Sequence, residues 1–304
     1  MVRNLHFISG LPRSGSTLLS AILLQNPRFH AGMTSPVSAL VSAVISQVSA
    51  GSEISSMMST EQRSRILRGL FDSYYSGRTE DVIFDTNRAW TSQLPALMEL
   101  FPNAKLICCV RDVSWIMDSL ERRFRSSNFE NTKLFNSSSE RATVYTRVET
   151  LAHPNRLVGF AYQALREACW SEHSSKLMIV EYDLLVERPD VVMRMIYKFI
   201  DEPHFKHDFE NVKYDAPDFD AQLGVAEMHK VYPEVAKRSR QTILPPDLFE
   251  RYAKMAFWRD LKKVQLSRLY ITKKTTVKLK KNYIQFEYIQ RETIVMLAIS
   301  EFFK

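Results

Sequence analysis

The sequence predicts one three-layer α/β domain, a central parallel sheet with helices on both faces, and three observations carry that expectation. Short apolar runs recur at residues 5–9, 82–84, 105–110 and 177–180, each near a segment with helical spacing of apolar residues. This is the rhythm of strands joined by crossover helices. A cluster of Gly, Pro and Ser separates the first run from the first helix. Neither an internal repeat nor a Pro/Gly-rich linker interrupts the chain before residue 260, so one unit is expected over residues 1–261, with residues 262–304 as a C-terminal extension.

Taken in order, residues 5–9 read as a strand, and Leu18, Leu19, Ile22 and Leu23 then fall on one helical face. The run at 82–84 leads into Asp85 and, three residues later, Arg88. The run at 105–110 ends in Arg111-Asp112, and a helix from Val113 onward sets Ser119 and Arg123 four residues apart on one face. Residues 126–139, rich in Ser and Asn, read as a loop able to lie over a site. The fourth run leads to Tyr182, and residues 191–200 form an apolar helix. The extension holds the basic run KKTTVKLKK, the alternating segment YIQFEYIQ and a closing apolar patch.

Composition narrows the function classes. Of 304 residues, 45% are hydrophobic and 25% charged, which excludes disordered, collagen-like and coiled-coil chains. Three cysteines, with Cys108 and Cys109 adjacent in an apolar run, exclude a disulfide framework and a spaced thiolate metal site. No stretch reaches the roughly 18 consecutive apolar residues of a membrane span, and the first residues lack the long apolar region of a secretory leader. A cytoplasmic protein is therefore expected. The net charge of +7 lies wholly in the extension, where eight Lys and two Arg oppose three Glu. The main domain is thus not expected to bind nucleic acid, and the tail's basic face is either solvated or touches an anionic surface.

The strongest chemical signal is Gly10-Leu11-Pro12-Arg13-Ser14-Gly15-Ser16-Thr17, between the first strand and first helix. Backbone N–H groups of such a loop, with the positive end of the helix, converge on a spot suited to phosphate. Its spacing is that of a nucleotide-cradling P-loop, except that Ser16 replaces the usual Lys before the Ser/Thr. With Arg13 as the nearest cation and no clear acidic strand end for Mg²⁺, a metal-dependent kinase becomes the weaker reading. The second constellation is Arg111, Ser119 and Arg123, a strand-end guanidinium with a hydroxyl and a second guanidinium, fit to bind a second phosphate. His204, His207 and Asp208 make an incomplete metal set, so no metal is expected.

Together these stretches resemble the PAPS-dependent sulfotransferases, most closely the tyrosylprotein and bacterial branch. Residues Pro12, Arg13, Ser14, Gly15, Ser16 and Thr17 match the family's 5′-phosphosulfate loop, and Arg111 with Ser119 match its 3′-phosphate motif. Arg123 falls where the tyrosylprotein enzymes carry a cofactor-contacting Arg. Tyr182, in Ile-Val-Glu-Tyr-Asp-Leu-Leu, matches a segment that the resemblance places close to the nucleotide. The match runs in order from about residue 5 to Trp258. It implies a P-loop-type fold that moves a sulfuryl group from PAPS, as co-substrate and without a metal, to an acceptor hydroxyl or amine on a small molecule, peptide or glycan.

The likeness weakens at the general base. Where the tyrosylprotein enzymes place a Glu, this chain reads His30-Ala-Gly-Met-Thr34-Ser35-Pro36, and Arg88 stands near the place of their Lys. Met228-His229-Lys230-Val231 is similar to a segment that closes over the nucleotide in that branch. Asp85 is expected as the base ahead of His30 and His229, and Arg238 and Arg240 are further phosphate-contact candidates. Besides a kinase, a non-catalytic nucleotide-binding protein remains an alternative.

Overall fold

The structure, a computed structural model, describes residues 4–49, 51, 53–126, 134–216, 219–220, 222 and 229–260, together with three short strands in the C-terminal extension. Strand β1 (Asn4–Gly10) leads through the glycine loop to α1 (Ser16–Leu23), and a short β2 (Phe29–Ala31) follows. Helices α2 (Val37–Val48) and α3 (Thr60–Tyr74) precede β3 (Val82–Thr86), a 3₁₀ turn (Arg88–Thr91), α4 (Leu94–Leu100), β4 (Leu106–Val110) and α5 (Val113–Ser126). Then come α6 (Ser138–Arg141), α7 (Val144–Ala152), α8 (Leu157–Trp170), β5 (Leu177–Glu181), α9 (Tyr182–Glu187), α10 (Pro189–Ile200) and α11 (Pro246–Ala253).

All five strands are parallel, in the order β2-β3-β1-β4-β5. The sheet forms because its strands are apolar on both faces. Every residue of β4, Leu-Ile-Cys-Cys-Val, is buried, as a strand covered on two sides must be. Alternation sorts them: Phe7, Leu106 and Cys108 join α3, α4, α5 and α8 in one core, while Ile8, Ile107 and Cys109 join α1 and α10 in the other. The three-layer expectation is met.

Two elements differ from the sequence reading. Strand β2 is only three residues long, too short to show a period, and it pairs with β3 at the sheet edge. The expected loop at 126–139 ends in the first residues of the short helix α6, capped by the Ser137 hydroxyl, and residues 127–133 lie outside the described residues. In the extension, β6 (Arg268–Leu269), β7 (Gln285–Gln290) and β8 (Thr293–Ala298) pair antiparallel, so the alternating segment contains β7. The KKTTVKLKK run lies outside the described residues. No helix among the described residues is long and apolar enough to cross a membrane.

Two buried histidines make the fold acid-sensitive. His6 accepts the Lys105 N–H on Nδ1 (3.1 Å), and burial, then the Lys105 charge, lowers its pKa to about 4. His207 sits 3.1 Å from the Tyr197 hydroxyl, and burial, then His204, lowers it to about 4 as well. Between about pH 6.5 and 4 the unfolded chain takes up protons that these folded-state groups refuse, so stability falls as pH is lowered through that window, by at most roughly 3 kcal/mol each. The urea midpoint should therefore drop between pH 7 and 4.5, and a His6→Gln/His207→Gln variant should flatten the slope. An unchanged slope in that variant would assign the acid sensitivity elsewhere.

Candidate active site

Because all five strands run the same way, the segments that follow β1, β3, β4 and β5 emerge at one edge. They carry the glycine loop, Arg88, Arg111 and Tyr182. After β1 the chain passes to β2 and β3 on one side, then crosses to β4 and β5 on the other, and ligands of open α/β sheets bind at such a switch point. An open cleft of about 1510 Å³ lies there, larger than the roughly 300–1,000 Å³ that one small ligand needs. All of the residues singled out above as catalytic or nucleotide-binding line it except Ser14, Asp85 and His30.

Close packing shapes the loop. Gly10, at φ 111°, lies against β4 so tightly that a Cβ would sit 2.1 Å from the Cys109 carbonyl oxygen. Gly15, at φ 95°, caps α1, and a Cβ there would come within 2.8 Å of the Tyr182 ring, so its bareness lets Tyr182, at the start of α9, close on the loop. Ser14 corrects the sequence reading: only 1% exposed, its hydroxyl donates to the carbonyls of Leu11 and, at 2.8 Å, Cys109. Its side chain stitches the loop to β4. Arg13 adopts φ 57°, a left-handed backbone that non-glycine residues hold only under constraint.

That conformation turns Arg13 toward α5, where its Nε donates to Ser119 Oγ at 3.2 Å. Burial, then the neighbouring charges of Arg123 and Arg111, pull the Arg13 guanidinium down to about 10. Three guanidiniums thus crowd one spot. Arg111 stacks on the Tyr182 ring, 4.2 Å from its centroid, and its Nε is buried with no hydrogen-bond partner. A buried orphan donor is costly and so calls for an anion. The adjacent Asp112 faces Arg259, which also holds Glu181 at 2.8 Å, so the acidic half of the Arg-Asp pair ties the ends of β4 and β5 together.

Residues 229–240 run continuously along the cleft wall. Asp118, fully buried on α5, anchors the far end of this strap: it accepts from Thr242 Oγ1 (3.0 Å) and the Ile243 N–H (2.8 Å) and pairs with Arg122 and Arg240. At the near end His229 meets Asp220, which sequence reasoning missed. Asp220 is 1% exposed and binds both the His229 backbone N–H (2.9 Å) and the ring Nδ1. A carboxylate at Nδ1 fixes the tautomer that leaves Nε2 as proton acceptor. Asp220 also acts on the charge of Arg13, so the pair lies close to the loop. Arg238 and Arg240 line the cleft too, Arg238 stacked 3.9 Å from the Tyr232 ring centroid.

Asp85, the base expected first, is corrected by its surroundings. It is fully buried and accepts from Ser35 (2.7 and 2.8 Å), Tyr75 (2.7 Å) and Trp90 Nε1 (2.8 Å). Burial raises its pKa while the three donors oppose that rise, and with no exposed surface it reaches no acceptor. His30 faces Glu80 and the Tyr75 ring and does not line the cleft. Arg88 does line it and is exposed there.

The chain is thus a parallel α/β sheet with a guanidinium-rich cleft at its switch point. A sequence description of the sulfotransferase family matches residues 6–207, and the chain belongs to that family. Among solved structures, the sulfotransferase domain from the curacin biosynthetic pathway is 15% identical, with 84% of this chain and 97% of that one covered at a TM-score of 0.54. The sulfotransferase domain of the Synechococcus PCC 7002 olefin synthase is 17% identical over 85% and 96%, with a TM-score of 0.49. A sulfotransferase from Alicyclobacillus acidocaldarius is 15% identical over 83% and 90%, at 0.47. No curated protein matches the sequence.

Proposed function

We propose that this sulfotransferase takes PAPS as donor and passes its sulfuryl group to an acceptor hydroxyl or amine on a small molecule, peptide or glycan, releasing adenosine 3′,5′-bisphosphate. The observation that carries the reading is the buried, unpartnered Arg111 Nε beside Arg13 and Arg123, an arrangement that a phosphate dianion would satisfy with charge-assisted hydrogen bonds. Arg111, Ser119 and Arg123 hold the 3′-phosphate, and Tyr182 backs them. Pro12, Gly15, Ser16, Thr17 and the Arg13 guanidinium hold the 5′-phosphosulfate at the start of α1.

The chain's own groups supply positioning, charge and a base. His229 Nε2 takes the acceptor proton, the acceptor atom bonds to sulfur, and the sulfur–oxygen bond to the 5′-phosphate breaks with its electron pair left on the phosphate. Arg13 and the loop N–H groups stabilise the charge that grows on that oxygen. The chemistry of such a transfer is positional and electrostatic, so we assign it no metal. We place the protein in the cytoplasm, a reducing compartment compatible with the free thiols of Cys108, Cys109 and Cys169.

Calorimetry tests the reading. Adenosine 3′,5′-bisphosphate should bind about 10- to 100-fold tighter than AMP, the worth of charge-assisted hydrogen bonds to one phosphate, and Arg111→Ala should erase the difference. Equal affinity for the two nucleotides in the parent protein would overturn the assignment of the second phosphate site.

A further inference from the structure

The cleft carries more positive charge than one bisphosphate nucleotide engages. Several of its cations are neutralised within the protein: Arg122 and Arg240 by Asp118, Arg156 by Glu140, and Lys237 by Glu187. Arg13, Arg111 and Arg123 form the mutually repelling trio described above. Arg88 belongs to neither set. Among the described residues its guanidinium makes no hydrogen bond and no ion pair, and neither the trio nor any carboxylate perturbs it.

Its position is distinct as well. Arg88 opens the 3₁₀ turn after β3, on the side of β1 opposite Arg111 and Tyr182, and it shares its part of the cleft lining with Met33 and Thr34. That turn is held firmly. The Asn87 side chain accepts from the Ala89 N–H (3.0 Å) and donates to the Ser35 carbonyl (3.3 Å), and Trp90 is locked to the buried Asp85 by its indole N–H. The Asp85 cluster is therefore a platform that fixes the backbone from which Arg88 projects. A preorganised guanidinium with no internal counter-ion, in the half of the cleft away from the nucleotide trio, is a reader for an anion on the second substrate.

On the reading that PAPS occupies the β4 and β5 side, we propose that the acceptor carries an oxyanion, a carboxylate, phosphate or sulfate ester, a few atoms from its reacting hydroxyl or amine, and that Arg88 binds that group. The test uses hydroxy-carboxylates paired with their methyl esters, and a matching pair of an alcohol with and without a phosphate or sulfate monoester. Each is titrated into the protein loaded with adenosine 3′,5′-bisphosphate and each is assayed with labelled donor. The charged member of at least one pair should bind about 10- to 100-fold tighter, with KM lower by a similar factor. Which pair shows the preference identifies the anion.

Arg88→Gln should abolish that preference while leaving bisphosphate affinity within twofold of the parent. If no charged compound outperforms its neutral partner, the proposal falls. It falls equally if Arg88→Gln lowers kcat for charged and neutral acceptors alike at an unchanged KM ratio, since Arg88 would then serve the sulfuryl group. Failure of the PAPS reading shows separately, as loss of preference for the bisphosphate over AMP in the parent protein.

Discussion

Arg13→Ala should lower kcat by about 10²- to 10³-fold, the usual cost of removing one preorganised donor from a developing oxyanion, while leaving the unliganded protein at least as stable as the parent. The two effects separate because of where Arg13 sits. With no nucleotide bound, its guanidinium is buried and opposed by Arg123 and Arg111, so the trio is a source of repulsion. Alanine inherits the same left-handed backbone at φ 57°, so backbone strain is little changed, and the repulsion is relieved. Thermal melts should show an equal or higher midpoint for the variant alone and a much smaller upward shift on adding adenosine 3′,5′-bisphosphate. A variant that keeps kcat within threefold of the parent would mean that the sulfuryl group is not transferred at this loop.

Nearly as large an effect is expected at the other end of the reaction. His229→Gln should cost 10²- to 10⁴-fold in kcat, the worth of a positioned general base, without changing bisphosphate affinity. Asp220→Asn should cost about 10- to 100-fold, the usual cost of losing the group that orients a histidine. An amide at this position can donate to Nδ1 and so stabilise the tautomer whose Nε2 already bears a proton. Because the two residues act as one device, the double variant should be little worse than His229→Gln alone. Additive losses in the double variant, or a kcat in His229→Gln close to that of the parent, would remove the histidine from the base's role.

Much of the sheet was legible because its strands are covered on both sides. A run such as residues 106–110 is apolar at every position and needs no period to be seen, whereas β2, three residues with His30 at its centre, offers no such run. The half of the candidate site built on the glycine loop and the β4 end was readable for a related reason. The loop spacing and the eight residues from Arg111 to Ser119 are local, and a strand end and one helix fix them. Ser14 shows the limit even there, since loop membership says nothing about which way a hydroxyl points.

The half that the proposed reading assigns to the acceptor was less legible. Asp85 ends a strand at the right edge, and its inward orientation is decided by Ser35, Tyr75 and Trp90, which come from other parts of the chain. Asp220 lies nine residues before His229, a spacing that matches neither the helix nor the strand period, so no periodicity ties the two together. His229 itself was visible only by its likeness to a short segment that closes over a nucleotide.

The strap places two tasks on one piece of backbone. Residues 229–240 both wall the cleft and deliver the imidazole, while Asp118 and Asp220 hold its ends. On the reading proposed above, an excursion of the strap wide enough to admit bulk solvent beside the sulfuryl group would also carry His229 away from it. Water entering then would meet nothing poised to deprotonate it, which would guard an expensive donor against wasteful hydrolysis without a separate gate.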